Sequence, residues 1–204
     1  HTFEQYLASG DAEWPLLLPM VKSVVRGMDA VQAFAAEEWG AALEEFTVIG
    51  GSKRGWTTWL TGAAEPRAAA LMPVVIDALN FALHMPYQST VWGVPSPELA
   101  PYTRRNLHEV LGDARGEALR RIIDPFSHRD RLLQPKVVVV ATNDEYFPLD
   151  SMNLYWDALP EPKYALYLPN ERHGVEDYAR VIATLGALHR HAAHGVPLPK
   201  LDWE

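Results

Sequence analysis

The 204-residue chain contains no cysteine. That excludes a disulfide framework, a thiolate-bound metal and a cysteine nucleophile, and it leaves the compartment open. The chain also lacks any apolar run approaching the roughly 18 residues that a membrane span needs. Its best candidate, near the N-terminus, is interrupted by Pro15, Pro19, Lys22 and Arg26. Positive charge is scarce: Lys and Arg number 18 against 26 Asp and Glu, a net charge of −8, with no basic stripe. Nucleic acid is therefore not expected as a partner. There is no internal repeat and no low-complexity tract. What remains is an ordinary globular balance, 48% hydrophobic and 22% charged, at a length suited to one domain or one domain with an appendage. The sequence begins at His1 without an initiator Met or a signal segment, and it stops just past Val196-Pro197-Leu198-Pro199. The expectation is an internal piece of a longer protein: a core over 1–195, then the start of a linker over 196–204.

Apolar spacing divides the chain into alternating elements. Leu17, Val21, Val24, Met28, Val31 and Ala35 recur at helical intervals and predict one long helix over 11–40, capped by Asp11, with Pro15 and Pro19 near its start. A β-branched run over 46–49 reads as a buried strand that feeds Gly50-Gly51. A helical pattern follows over 53–63, and a second apolar run over 69–76. The stretch 80–130 is irregular and proline-punctuated, a lid-like insert with helices expected over 103–111 and 116–123. Strands are expected over 136–141 and 164–168, and helices over 152–159 and 175–193. Strands apolar on both faces and alternating with helices imply a mostly parallel sheet flanked by helices. In such sheets chemistry gathers beyond the carboxyl ends of the strands. The loops there carry Ser52, Asp77, Asp144 and His173.

Gly50-Gly51-Ser52-Lys53-Arg54-Gly55 has the strand–turn–helix layout of a nucleophile elbow, in which small neighbours let strand and helix approach closely. The match to Gly-x-Ser-x-Gly is incomplete, because Arg54 stands where the second glycine belongs and Gly55 follows it. The order serine, acid, histidine is that of α/β-hydrolases. A serine hydroxyl needs a base to become nucleophilic, and His173 has the right chemistry for that role. Asp144 would fix the imidazole tautomer. Rivals for the acid are Glu145, Asp150 and Asp77, and Ser52 could instead cap a helix. The backbone N–H of Lys53 is a candidate oxyanion donor. Arg54, Trp92, Tyr146 and Phe147 are candidate substrate contacts, and Trp56 and Trp59 read as core. His189, His191 and His194 lack the i, i+4 spacing of a metal helix, so neither a metal nor a cofactor is expected.

These segments, together with Trp14-Pro15-Leu16-Leu17-Leu18-Pro19, Ser52-Lys53-Arg54-Gly55-Trp56, Asp124-Pro125-Phe126-Ser127-His128-Arg129-Asp130, Asn143-Asp144-Glu145-Tyr146-Phe147 and Pro169-Asn170-Glu171-Arg172-His173, resemble the PhoPQ-activated pathogenicity-related protein family, which includes the autocrine proliferation repressor proteins. The resemblance implies an α/β-hydrolase core lacking its N-terminal strands, with Ser52, Asp144 and His173 at the triad positions. It also implies an exported protein, secreted or periplasmic. The elbow is similar to that of glucuronoyl esterases, which implies a part for Lys53 or Arg54 at the oxyanion. The strand before Ser52 would then be an uncovered sheet edge, and a second oxyanion donor would come from an earlier strand. Two functions remain open. One is a serine hydrolase acting on an ester or related acyl bond of a small-molecule or carbohydrate-linked substrate. The other is a non-catalytic binding or signalling protein on the same fold.

Overall fold

A computed structural model of the chain describes residues 1–198. Four strands, β1 (Phe46–Gly51), β2 (Ala68–Val74), β3 (Lys136–Ala141) and β4 (Lys163–Leu168), form one parallel sheet in the order β1-β2-β3-β4. The mostly parallel, helix-flanked α/β architecture expected from the sequence is what the chain adopts. β3 is buried at every position, because it lies inside the sheet with helices on both faces. β1 lies at the edge, and among the described residues no strand pairs with its outer side.

One face of the sheet carries α1 (Thr2–Ser9), α2 (Leu17–Trp39) and α3 (Lys53–Ala64), whose Phe3, Leu17, Met28, Trp56 and Trp59 join the larger core cluster. The 80–130 segment packs on the same side as α4 (Phe81–Trp92), α5 (Ala100–Thr103), α6 (Leu107–Gly112) and α7 (Glu117–Ile123). The closing helix α8 (Tyr178–His194) buries Val181 and Leu188 against the other face. The linker expected over 196–204 lies largely outside the described residues.

Several elements differ from expectation. The long N-terminal helix begins at Leu17 rather than near Asp11. The Asp11 carboxylate accepts a bond from the Glu13 N–H in a local turn, and a separate helix α1 precedes it, closed by Gly10 in the left-handed region. Val31 faces solvent. The helix expected over 103–111 is broken at Asn106, which adopts a left-handed conformation at φ 53°. The helix expected over 152–159 is instead two 3-10 turns, Ser151–Leu154 and Trp156–Ala158. α4 runs through Pro86 in a stretch whose prolines suggest irregularity.

Candidate active site

The site starts from a close approach between β1 and α3. A Cβ on Gly50 would lie 2.5 Å from the Arg54 carbonyl oxygen. One on Gly55 would lie 2.7 Å from Ile76 Cγ2 and 2.8 Å from the Gly50 carbonyl oxygen. The elbow's two obligatory glycines are thus 50 and 55. Position 54 points away from the strand, which is why an arginine is tolerated there. Between them Ser52 sits at φ 53°, ψ −124°, a sparsely populated conformation that costs about 1–3 kcal/mol and persists only when its surroundings impose it. The Ser52 N–H donates to the Val74 carbonyl on the neighbouring strand at 2.8 Å. Val75, just beyond β2, and Val175, two residues past His173, also hold positive φ, unusual for β-branched residues. Backbone strain is therefore gathered around one rim of the sheet.

At that rim Ser52 Oγ lies 2.7 Å from His173 Nε2. On the far side of the ring, Nδ1 lies 3.1 and 3.0 Å from the two Asp144 oxygens. The Asp144 side chain is only 5% exposed and that of His173 13%, so the chain of contacts is largely shielded from water. Asp144 Oδ1 also accepts the Tyr146 N–H at 2.8 Å. Tyr146 lies against the imidazole, with ring centroids 4.0 Å apart, and Phe147 follows at 6.1 Å. Lys53 opens α3, so its N–H is among those left without a partner inside the helix.

The rival carboxylates are engaged elsewhere. Glu145 accepts the His173 backbone N–H at 3.0 Å and pairs with Arg172 at 3.3 Å. The bond from the His173 backbone is the main reason its carboxyl is held below the usual range. Asp150 accepts the Tyr87 hydroxyl. Asp77 is buried and accepts the Tyr155 hydroxyl at 2.5 Å, while its Oδ2 has no hydrogen-bond partner. Burial pushes the Asp77 carboxyl up to about 7; the Tyr155 bond opposes this and the nearby Asp144 charge adds to it. His84 is fully buried beside Phe147, with neither ring nitrogen hydrogen-bonded. Burial lowers it to about 4.

Lys53, Tyr146 and Phe147 line a cavity of about 100 Å³ that begins at Ser52. Arg54 is exposed and not part of its wall. Neither is Trp92, 40% exposed at the end of α4. Trp59 is core, whereas Trp56 is both core and cavity wall. Two of the three histidines of α8 have hydrogen-bond partners: His189 Nδ1 bonds Thr47 Oγ1, and His191 Nδ1 bonds the Val196 carbonyl. Among the described residues no group of three His, Asp or Glu is placed to hold a metal ion, and no helix is long and apolar enough to cross a membrane.

Sequence reasoning missed the ties between the insert and the acid loop. Ser96 Oγ donates to the Glu145 carbonyl at 2.6 Å, Gln88 Nε2 donates to the Tyr146 carbonyl at 3.1 Å, and the Ser96 N–H donates to Gln88 Oε1. Both side chains are almost fully buried. Asp124 stands in one of the family-like segments, with no role assigned to it from sequence. Its carboxylate accepts the N–H groups of Asn80, Phe81 and Phe126, tying the start of α4 to the end of α7.

The architecture is similar to that of solved hydrolases. The Pyrococcus horikoshii acylaminoacyl peptidase superposes with TM-score 0.58 at 16% identity, covering 89% of this chain and 29% of that one. A puromycin hydrolase gives 0.56 at 23%, covering 85% and 26%. The acetyl xylan esterase of Paenibacillus sp. R4 gives 0.52 at 16%, covering 78% and 50%. At these identities the likeness concerns the α/β-hydrolase fold. In sequence, autocrine proliferation repressor protein A of Dictyostelium discoideum is 35% identical over 209 residues. The match takes in the whole of this chain, which spans 42% of that relative's length. Residues 1–204 match the PhoPQ-activated pathogenicity-related protein family throughout, and with that relative the assignment is complete: the chain belongs to this family, built on a hydrolase-like α/β scaffold.

Proposed function

We propose that the protein is a serine hydrolase acting on an ester or related acyl bond. One observation carries the reading: the unbroken contact chain Ser52 Oγ–His173 Nε2, His173 Nδ1–Asp144, at 2.7 and 3.0 Å. Ser52 attacks the carbonyl carbon while His173 Nε2 takes its proton and returns it to the leaving atom. Asp144 holds the imidazole with Nδ1 protonated, leaving Nε2 free to accept, and steadies the imidazolium that forms. The Lys53 N–H, at the positive end of α3, stabilises the oxyanion. Water then hydrolyses the acyl-enzyme by the reverse proton path. The structural likeness to esterases and peptidases supports the reaction class without choosing between an ester and a peptide bond.

The second reading, a non-catalytic binding or signalling protein, draws on the name of the Dictyostelium relative. Fluorophosphonate labelling of the full-length protein separates the two. The hydrolase reading expects labelling that vanishes in Ser52→Ala, with hydrolysis falling about 10³-fold or more. A folded protein that takes no label sinks it.

A further inference from the structure

The serine-hydrolase reading leaves open which part of the substrate is selected, and the cavity at Ser52 bears on this. Its wall combines Ser52 and Lys53 at the elbow, Ala78 beyond β2, Met85 on α4, Leu99 in the turn before α5, and Leu111 on α6. Most of that surface is apolar. Two properties define an occupant.

The first is side. Ser52 and Lys53 belong to the wall and His173 does not. When a carbonyl carbon is bonded to Ser52 Oγ, its oxygen must lie at the Lys53 N–H and its leaving atom within reach of His173 Nε2, which protonates it. Tyr146, lying against the imidazole, stands between the recess and the histidine. A recess that touches the nucleophile and the oxyanion residue but not the base receives the substituent on the carbonyl carbon. The leaving group goes elsewhere.

The second is size. A dry cavity of about 150 Å³ holds a benzene ring, and this one is about 100 Å³. That volume suits an aliphatic group of about three or four carbons, and past Lys53, Tyr102 and Tyr146 the recess borders a second, wider space of about 350 Å³. Resting on the serine-hydrolase reading, we infer that the recess is an acyl-group pocket selecting aliphatic acyl chains of butyryl or isovaleryl size over acetyl. In the step concerned, the Ser52 Oγ–acyl bond forms and the acyl–leaving-oxygen bond breaks. The serine proton passes through His173 to that oxygen, and water subsequently releases the short-chain acid.

The test uses the full-length protein and p-nitrophenyl esters that share one leaving group: acetate, butyrate, isovalerate, octanoate and decanoate. Each buried methylene contributes about fourfold, so butyrate should exceed acetate by about 15-fold in kcat/KM. Leu99→Trp narrows the recess and should move the optimum to acetate. Met85→Ala widens it and should move the optimum towards octanoate. Opposed shifts cannot arise from a general loss of folding. A flat series, or an optimum that neither variant moves, while fluorophosphonate still labels Ser52, overturns the acyl-pocket assignment alone. Absence of labelling in the folded protein overturns the hydrolase reading and this assignment with it.

Discussion

The β1–α3 elbow is held by shape, whereas the insert between β2 and β3 is held by buried polar side chains. At the elbow, Gly50 and Gly55 remove two side chains so that backbone meets backbone, and Trp59 is sealed beneath. In the insert, short helices are joined to one another through Asp124 and to the Glu145–Tyr146 loop through Gln88 and Ser96. Buried side-chain atoms without partners occur in both regions, at Trp59 and Thr61 on α3 and at His84 and His108 in the insert. Shape fixes one geometry and resists any added atom. A polar network tolerates irregular backbone but depends on each bond being made.

Three substitutions sharpen that contrast. Gly50→Ala should do the most damage, because the new methyl meets the Arg54 carbonyl at 2.5 Å and Thr58 Oγ1 at 2.9 Å. It forces α3 away from β1, at about 3 kcal/mol, and displaces Ser52. Denaturant unfolding reads the first effect and fluorophosphonate labelling the second. If stability and labelling stay at parental levels, the elbow is not shape-limited. Asp124→Ala strands three N–H groups, while relieving a buried carboxylate whose pKa burial raises to about 6. The net loss should be about 2 kcal/mol, smaller than at the elbow, with labelling largely retained.

The effect expected at Asp77 is of another kind and appears as a pH slope. Its carboxyl titrates near 7 when folded, against about 3.9 in an unfolded chain. Between those values the folded state keeps a proton that the unfolded state has lost, so this group's contribution to stability falls as pH rises. In Asp77→Asn, which can still accept from Tyr155, that slope disappears. The Tm of the variant relative to the parent should climb from pH 5 to pH 8 and then level off. His84 acts in the opposite sense: its folded pKa near 4 lies below the unfolded value, so its contribution is lost as pH falls from about 6.5. A Tm difference that is constant across pH 5–8 would show that Asp77 does not titrate there.

Much of this molecule was legible because its signals are local. β3 announces itself through Val137–Val140, apolar on both faces, and its bounds match the expectation from sequence. Ser52 stands out as a serine after paired glycines at the end of a β-branched run, and Asp144 and His173 as polar residues just past strands. The incomplete motif had a geometric origin, since the helix residue facing the strand is 55 and not 54. α1 escaped notice because it buries only Phe3, too little to leave a periodic stripe. The fastening roles of Gln88, Ser96 and Glu145 were hidden for a different reason. They join residues 58, 49 and 28 positions apart, and side-chain bonds across such separations leave no spacing in the sequence. Trp92 shows the converse, an aromatic residue in the insert that faces outward and away from the cavity.

The bonds from Ser96 and Gln88 to the carbonyls of Glu145 and Tyr146 fasten the insert to the loop that carries Asp144. A ligand that displaced the insert would pull on the backbone directly after that aspartate.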